Sequence, residues 1–333
     1  MRASDQETKL VAVVGANGTI GRVCIQTLLS HGHAVRPISR RSKPVGTVAQ
    51  GPVALDMRSA TLEDWRAALA GVDAVVNCAG VLQDGAQDNL EAVHVSAVRQ
   101  LLDAIPKPHC RMVQISAAGV SDEASTAFFR TKAEGDALIR DRASDWVILR
   151  PTLVLGPDAY GGTALLRASA ATPWIGVHVL PYAPVQTVYV GDVAAAVLAC
   201  VNDEIPSGTI ADLTASEGHS LSDLTTRFRQ WLGLTPWRRT FRLPDSGISV
   251  ISRIADGLGW LGCRSPLRST AVSVLRDGVR GDQDVWASVG GAPCRSLDET
   301  LATLSATAQE RLFARMFLLL PVAIATLSVF WTL

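Results

Sequence analysis

Short apolar runs alternate with longer, more polar stretches along the first two-thirds of the chain. The apolar runs are rich in β-branched residues and predict strands at residues 10–15, 33–39, 52–56, 72–80, 111–116 and 145–151. The stretches between them predict helices at residues 19–32, 61–71, about 86–104 and about 126–141. Thr61 is predicted to cap the second of these helices. The alternation predicts an α/β fold with a doubly wound parallel sheet, and the near-continuous apolar runs suit strands covered on both faces.

The rhythm loosens after Pro151. Residues 155–163 are rich in Gly and Pro, and residues 187–201 predict a strand, a turn and a helix, with Asp192 favoured as the N-cap of that helix. From about residue 220 the chain is helical and rich in Arg and Trp. The sequence therefore predicts a small mixed C-terminal lobe. The domains are predicted at 1–235, 236–308 and 309–333.

The end of the chain is uncharged from Met316 to Leu333. Its 18 residues reach the lower end of the length that a membrane helix needs, about 17–25 residues. Arg311 and Arg315 precede the run and favour a cytoplasmic location for that side. The run predicts a C-terminal hydrophobic helix in the cell inner membrane; the alternative is a buried helix.

Composition narrows the function classes. The chain has 31 Lys and Arg against 31 Asp and Glu, so its overall charge does not favour a nucleic-acid partner. The six cysteines are scattered without a CxxC pair, so neither a metal site nor a disulfide framework is predicted. The polar N-terminus carries no secretory signal.

A glycine-rich loop joins the first strand to the first helix. Gly15, Gly18 and Gly21 let the backbone approach a pyrophosphate, and the helix start at Thr19 offers unpaired amides. Asn17 and Ile20 lie in the same loop and are predicted to contact the cofactor with it. The strand–loop–helix context favours a dinucleotide site over a glycine-rich turn without a ligand.

The end of the second strand carries a basic pair, Arg40 and Arg41, and no acidic residue occurs from 36 to 50. Guanidinium groups suit a 2′-phosphate, so NADP(H) is favoured over NAD(H); the alternative is a solvated basic turn. Asp56 ends the third strand, where its carboxylate could accept from the adenine amino group, with Met57 beside it.

Several motifs together resemble the extended, atypical short-chain dehydrogenases/reductases, including the NmrA-like groups and the NADPH-carrying accessory subunit of respiratory complex I. The motifs, besides the glycine loop, are VVNCAG (75–80), VHVSAVRQLLDA (93–104), QISAAG (114–119), ILRPTLVLGP (148–157) and VYVGDVAAAV (188–197). The resemblance covers about residues 9–235 and implies a Rossmann-type fold. It implies cofactor contacts at Cys78, Ala79, Gly80 and Pro151, a catalytic-type serine at Ser116, and a ribose-binding lysine at Lys132.

The same resemblance implies that the catalytic proton donor is missing, because Phe128 occupies the position of the family's catalytic tyrosine. The three tyrosines of the chain are followed four residues later by Ala164, Gln186 and Val193, so none forms the family's YxxxK motif. General acid catalysis is typically worth 10²–10⁴-fold. We therefore expect an NADP(H)-binding protein with weak or no dehydrogenase activity, acting as a redox sensor, scaffold or assembly factor. The alternative is an oxidoreductase or isomerase with another proton donor.

Other readings of the site residues stay open at this stage. Lys132 could be a solvated helix lysine, and Ser116 could simply end a strand. Arg150 suits a site role and a scaffold role equally, whereas His94 falls in an apolar register and is predicted to be buried.

Two further features point to a membrane. Residues 258–272, 281–291 and 309–331 resemble bacterial short-chain dehydrogenase/reductase proteins fused to a DoxX-like membrane domain, of which this sequence would contain the first span. Between residues 223 and 245 lie five arginines, with Trp231 and Trp237 among them. Such a patch suits an anionic lipid surface; the alternative is a solvated face. The predicted partners are therefore the cofactor, a lipid membrane and a membrane protein.

Overall fold

The computed structural model describes residues 7–41, 51–85, 88–106, 110–158, 162–260, 268–312 and 314–316. The described residues form twelve strands, and seven of them build one large parallel sheet. The strands are β1 (Leu10–Val14), β2 (Ala34–Ser39), β3 (Val53–Ala54), β4 (Ala74–Asn77), β5 (Arg111–Ile115), β6 (Trp146–Pro151), β7 (Leu153–Leu155), β8 (Ile175–His178), β9 (Pro184–Tyr189), β10 (Thr209–Leu213), β11 (Gly218–Ser220) and β12 (Arg239–Arg242). The order in the large sheet is β3-β2-β1-β4-β5-β6-β10, and every pair in it is parallel. The predicted Rossmann-type α/β sheet is confirmed.

The described part of the chain contains eleven α-helices. They are α1 (Thr19–Ser30), α2 (Leu62–Ala68), α3 (Ala97–Ala104), α4 (Ala127–Arg142), α5 (Gly162–Ala170), α6 (Val190–Val201), α7 (Leu221–Trp231), α8 (Asp245–Trp260), α9 (Ser269–Asp277), α10 (Asp284–Ser288) and α11 (Leu297–Thr303). Thr61 caps α2 in a reciprocal capping box with Asp64, as predicted for the cap.

The central strands of the large sheet supply two hydrophobic cores because their side chains alternate between faces. In β1, Val11 and Val13 join the core under α1 and α6, whereas Ala12 and Val14 join the core under α2 and α3. All four side chains are at most 1% exposed. This double burial explains why the strands appear in the sequence as unbroken apolar runs.

The chain divides into two compact units. Unit 1 comprises residues 1–154, 186–216 and 280–295, and unit 2 comprises residues 155–185, 217–279 and 296–333. The units interleave along the chain, because a strand or helix can join a core far from its neighbours in sequence. The predicted domain boundaries near residues 235 and 308 stay predictions.

Three element predictions need correction. The helix predicted from about residue 86 begins at Leu90 in the described chain and passes through a π-helical turn (Ala92–Ser96) before α3. Asp192 does not cap α6: the helix follows β9 directly, its N-cap is Tyr189, and the Asp192 carboxylate instead accepts from the backbone amide of Arg295 (2.8 Å). The third strand is only two residues long, Val53–Ala54.

Among the described residues, none of the helices has both the length and the apolar character needed to cross a bilayer. The predicted membrane helix, Met316–Leu333, lies outside the described residues from position 317 onward.

Candidate functional site

Two glycines of the loop, Gly15 and Gly21, leave no room for a side chain. Gly15 has φ +77°, and a Cβ there would lie 2.8 Å from the backbone nitrogen of Ala79. A Cβ on Gly21 would lie 2.4 Å from the carbonyl oxygen of Gly15. Gly18 is the N-cap of α1 and provides no side-chain cap, so the first-turn amides at Thr19 and Ile20 are left for another acceptor. The loop therefore has the close approach and free donors that a pyrophosphate needs.

Asn17 fastens this loop to the end of β2. Its side-chain amide donates to the Ser39 hydroxyl (2.8 Å) and to the Arg41 carbonyl (3.0 Å). Arg40 and Arg41 follow β2 directly and are exposed, and an Arg40 guanidinium nitrogen lies 3.8 Å from an Asp88 carboxylate oxygen. The structure thus brings the predicted basic pair beside the glycine loop.

The Asp56 carboxylate already accepts hydrogen bonds from Arg58, which the sequence does not mark as part of the site. Arg58 donates its backbone amide (3.1 Å) and Nε (2.9 Å) to the Asp56 carboxylate, and these contacts lower the pKa of Asp56. Met57 packs against the core under α2 and α3. An adenine contact from Asp56 would have to share the carboxylate with Arg58.

Hydrogen bonds with buried polar side chains stabilise the turn at Cys78, Ala79 and Gly80. Asn77 accepts from the Ala79 amide (3.1 Å) and donates to the Gln114 side-chain oxygen (2.9 Å). Asn77 and Gln114 were not singled out from the sequence, where they look like ordinary strand residues. Both lie at most 5% exposed, so their mutual hydrogen bond satisfies groups that burial would otherwise leave without partners.

His94 supports the same turn, which confirms its predicted burial and gives it a role. Its Nε2 accepts from the Val81 amide (3.2 Å), and its Nδ1 lies 2.9 Å from the Thr131 hydroxyl. Burial, with the nearby charge of Lys132, lowers the pKa of His94 to about 3. The imidazole is therefore neutral at physiological pH.

Lys132 is buried at 7% exposure, so its alternative as a solvated lysine is wrong. Its ammonium donates to the Ile115 carbonyl (3.2 Å) and lies 5.8 Å from the centre of the Phe128 ring. Burial lowers the pKa of Lys132, and the charge of Asp136 opposes that change. The structure therefore brings Lys132, Phe128 and the Gly80 turn together, since a Cβ on Gly80 would lie 3.7 Å from the Lys132 ammonium.

Ser116 faces a buried carboxylate that the sequence analysis missed. Its hydroxyl donates to Asp136 (2.8 Å), which also accepts from Arg150 (3.0 Å). Asp136 is 1% exposed, and burial raises its pKa against the opposing effects of Ser116, Lys132 and Arg150. Its position four residues after Lys132 on α4 was the available signal, because that spacing places both side chains on one helix face.

The charges continue across the sheet in alternating sign. Arg150 on β6 stands beside Asp212 on β10 in the parallel register, and its charge acts against the burial that raises the pKa of Asp212. Asp212 also accepts from the Asp282 amide (2.9 Å). Lys132, Asp136, Arg150 and Asp212 thus form a chain of alternating charges, which gives Arg150 a clear scaffold role.

The predicted residues collect at one edge of the sheet. Gly15 follows β1, Cys78 follows β4, Ser116 follows β5, and Pro151 ends β6, where its carbonyl accepts from the Ala118 amide (3.0 Å). The carboxyl ends of parallel strands are where open α/β sheets bind ligands. The individual cofactor contacts stay predictions.

The Arg- and Trp-rich segment is partly structural. Arg229 is 4% exposed, donates to the carbonyls of Ala170 (2.9 Å) and Thr172 (2.7 Å), and stacks on Trp237 at 4.4 Å. Trp231 donates to the Leu304 carbonyl (2.9 Å). Arg229 and Trp231 therefore contribute to the interior of unit 2. The Arg- and Trp-rich segment between residues 223 and 245 does not, as a whole, face a lipid surface.

Known proteins share this fold and part of this sequence. A sequence model of a family described as NAD(P)H-binding matches residues 15–204, more than half of the chain. A ceramide reductase of Caulobacter vibrioides is 22% identical over 251 residues, covering 74% of this chain and 77% of that protein. The mitochondrial NADH dehydrogenase [ubiquinone] 1 alpha subcomplex subunit 9 of Dictyostelium discoideum is 26% identical over 221 residues, covering 64% of this chain and 61% of that protein.

Solved structures resemble the chain over most of its length. The UDP-glucuronic acid 4-epimerase of Bacillus cereus, bound to UDP-glucuronic acid and NAD, aligns with a TM-score of 0.65 at 16% identity, covering 92% of this chain and 99% of that one. The UDP-glucose 4-epimerase of Thermotoga maritima aligns with a TM-score of 0.63 at 15% identity, covering 88% of this chain and 96% of that one. Identities this low establish the shared fold alone.

Proposed function

Because the chain belongs to the NAD(P)H-binding family, we propose that it holds NADP(H) in preference to NAD(H) and works mainly as a redox sensor, scaffold or assembly factor. The observation that carries this proposal is the state of the reaction centre. Phe128 provides no proton next to Lys132, and the Ser116 hydroxyl is engaged by Asp136. A bound nicotinamide would supply hydride chemistry, but the usual proton donor is missing.

The residues present fit the cofactor without that donor. Backbone amides of the glycine loop would hold the pyrophosphate, and Lys132 would reach the ribose from its buried position beside Gly80. Arg40 and Arg41 are exposed and suited to a 2′-phosphate. Binding and catalysis are therefore separable in this site.

The cofactor choice yields a first prediction. The wild type should bind NADPH at least about tenfold more tightly than NADH, because a single charge-assisted contact to the 2′-phosphate is worth roughly 1.5–3 kcal/mol. Arg40→Ala/Arg41→Ala should remove most of that preference in calorimetric titrations. Arg66→Ala/Arg99→Ala removes two exposed arginines from α2 and α3 and should leave it unchanged. Equal affinities in the wild type would contradict the proposal.

Turnover provides the second prediction. The purified chain should bind NADPH but reduce carbonyl compounds far below the ordinary enzymatic rate of about 10 s⁻¹. The test panel should include ceramide-type substrates, because one relative is a ceramide reductase. Phe128→Tyr should keep NADPH affinity within about twofold and add measurable turnover, since general acid catalysis is worth about 10²–10⁴-fold. Ordinary turnover by the wild type would remove the basis of the sensor proposal.

One observation favours a second function, an oxidoreductase or isomerase with another proton donor. Asp136 has a raised pKa and contacts the Ser116 hydroxyl, so a protonated Asp136 could pass a proton outward through Ser116. In that case Asp136→Asn would abolish wild-type turnover while cofactor binding persisted. If the wild type turns over and Asp136→Asn remains equally active, this relay is wrong.

We also propose that the protein resides at the cell inner membrane with its nucleotide-binding unit in the cytoplasm, anchored by the DoxX-like run Met316–Leu333 and beside a membrane-protein partner. As a helix the run would extend about 27 Å at 1.5 Å per residue, close to a hydrocarbon core of about 30 Å. After a carbonate wash of membranes, the full chain should stay in the pellet, whereas a chain ending at Ala308 should be released and still bind NADPH. Release of the full chain would contradict the anchor.

A further inference from the structure

Unit 2 displays a small β-ribbon whose outer face is apolar and basic. The ribbon pairs β8 with β12 in parallel, and Ile175 lies beside Arg239 while Val177 lies beside Phe241. Ile175 is 43% exposed, Val177 is 39% exposed and Phe241 is 55% exposed. Arg239 is also exposed. We call these four residues the ribbon face. They share one side because strand side chains alternate with a period of two.

Trp237 covers the opposite side of the ribbon at Gly176, whereas Thr240 and Arg242 on that side are exposed. A Cβ on Gly176 would lie 2.8 Å from the Trp237 ring, so the indole rests directly on that glycine. The Trp237 nitrogen donates to the Thr172 carbonyl (2.9 Å), and Arg229 stacks on the ring. The stacked Arg229–Trp237 pair therefore lies against the ribbon on the side away from Ile175 and Val177.

The surroundings of the ribbon face carry aromatic and cationic groups. Trp174 precedes β8 and is 79% exposed, and Tyr182 is 78% exposed with the Arg242 guanidinium 5.3 Å from its ring. Arg238 and Arg242 are exposed, and residues 236–244 contain no acidic residue. Three exposed arginines against one nearby acid, Asp245, leave a net positive charge that suits an anionic partner.

We propose that the ribbon face and its flanking arginines dock on an anionic lipid surface. Apolar side chains can enter the acyl boundary, Trp and Tyr suit the headgroup level, and arginines attract anionic headgroups. A nucleic acid or an acidic soluble partner would use the arginines but would gain little from exposed Ile175 and Val177. The inference rests on the proposed membrane association and specifies a second contact, separate from the anchor.

The test measures hydrogen exchange of the full chain bound to vesicles of phosphatidylcholine, with and without phosphatidylglycerol. The anchor would hold the chain on both kinds of vesicle, which flotation of the vesicles would verify. A difference in exchange between the two lipid compositions therefore reports on docking alone. We expect the amides of β8 and β12 and the residue 174 amide to exchange more slowly only when phosphatidylglycerol is present. Flotation on neither vesicle would refute membrane association itself. Flotation on both without composition-dependent protection would refute only the docking site.

Two triple variants sharpen the outcome. Arg238→Gln/Arg239→Gln/Arg242→Gln should shift the docking equilibrium on the order of 100-fold toward the undocked state, because each arginine contributes about 1 kcal/mol near an anionic surface. Arg66→Gln/Arg99→Gln/Arg140→Gln removes the same charge from exposed sites in unit 1 and should not change it. Equal effects would mean a general charge effect and would overturn the proposal.

Other occupants give distinct results, each of which overturns it. If protection without vesicles disappears in a chain ending at Ala308, the face is covered by the chain's own C-terminal run. If protection rises with protein concentration in the absence of lipid, it is covered by a second copy.

Discussion

Asp136→Ala is expected to destabilise unit 1 by about 3–5 kcal/mol, the usual cost of removing one partner from a buried ion pair. The carboxylate is 1% exposed and is the direct acceptor for both Ser116 and Arg150. Without it, the ammonium of Lys132 and the guanidinium of Arg150 lose their shared counter-charge. Hydrogen exchange of α4 and β6 amides through the global unfolding transition would measure the loss.

A surface pair between α3 and α4 provides the control. Asp103 pairs with Arg142, and the two side chains are 42% and 37% exposed. Asp103→Ala should cost less than about 1 kcal/mol, because solvent screens exposed pairs. Replacing both buried partners, in Asp136→Leu/Arg150→Met, should recover part of the stability lost in Asp136→Ala. A loss in Asp136→Ala no larger than that in Asp103→Ala would show that the charge chain is not a stabilising network.

Gly21→Ala is expected to weaken NADPH binding on the order of 100-fold. The new methyl group would stand 2.4 Å from the Gly15 carbonyl oxygen, so the loop backbone must move. Such movement would cost one or two charge-assisted hydrogen bonds to the pyrophosphate, each about 1.5–3 kcal/mol, and about 1.4 kcal/mol corresponds to tenfold in affinity. Fluorescence titration with NADPH would measure the change.

Gly32→Ala is the matched control at the opposite end of α1. Unlike Gly21, Gly32 has a left-handed backbone, with φ +86°, and no atom beyond its neighbours in the chain lies within 4 Å of its Cβ position. Its substitution should therefore cost stability of the order of 1–3 kcal/mol through backbone strain and leave NADPH affinity unchanged. If Gly21→Ala folds and binds NADPH as tightly as Gly32→Ala, the pyrophosphate does not lie on this loop.

The sheet and the glycine loop were predictable because their signals are local. The apolar run of β1 and the three glycines that follow it predict a strand, a turn and the start of a helix within about a dozen residues. His94 was also predictable as a buried residue, because helical period alone places it.

The remainder of the site depends on contacts between distant segments. The function of Asp136 depends on Ser116 and Arg150, which lie on two different strands, and no local pattern links them. Asp192 looked like a cap because its type suits one, but the helix begins two residues earlier and the carboxylate finds its partner at Arg295. The burial of Arg229 depends on Trp237 and on carbonyls near residue 170, which helix composition does not reveal.

The interleaving of the two units constrains the order of events during protein synthesis. Trp286 lies in the core under α1 and α6 at 3% exposure, and its indole donates to the Ala292 carbonyl (2.7 Å). A nascent chain of 216 residues already carries every strand of the large sheet, yet it lacks this side chain. The nucleotide-binding unit therefore cannot complete its core on the ribosome until Trp286 has emerged, after the whole 217–279 segment of unit 2.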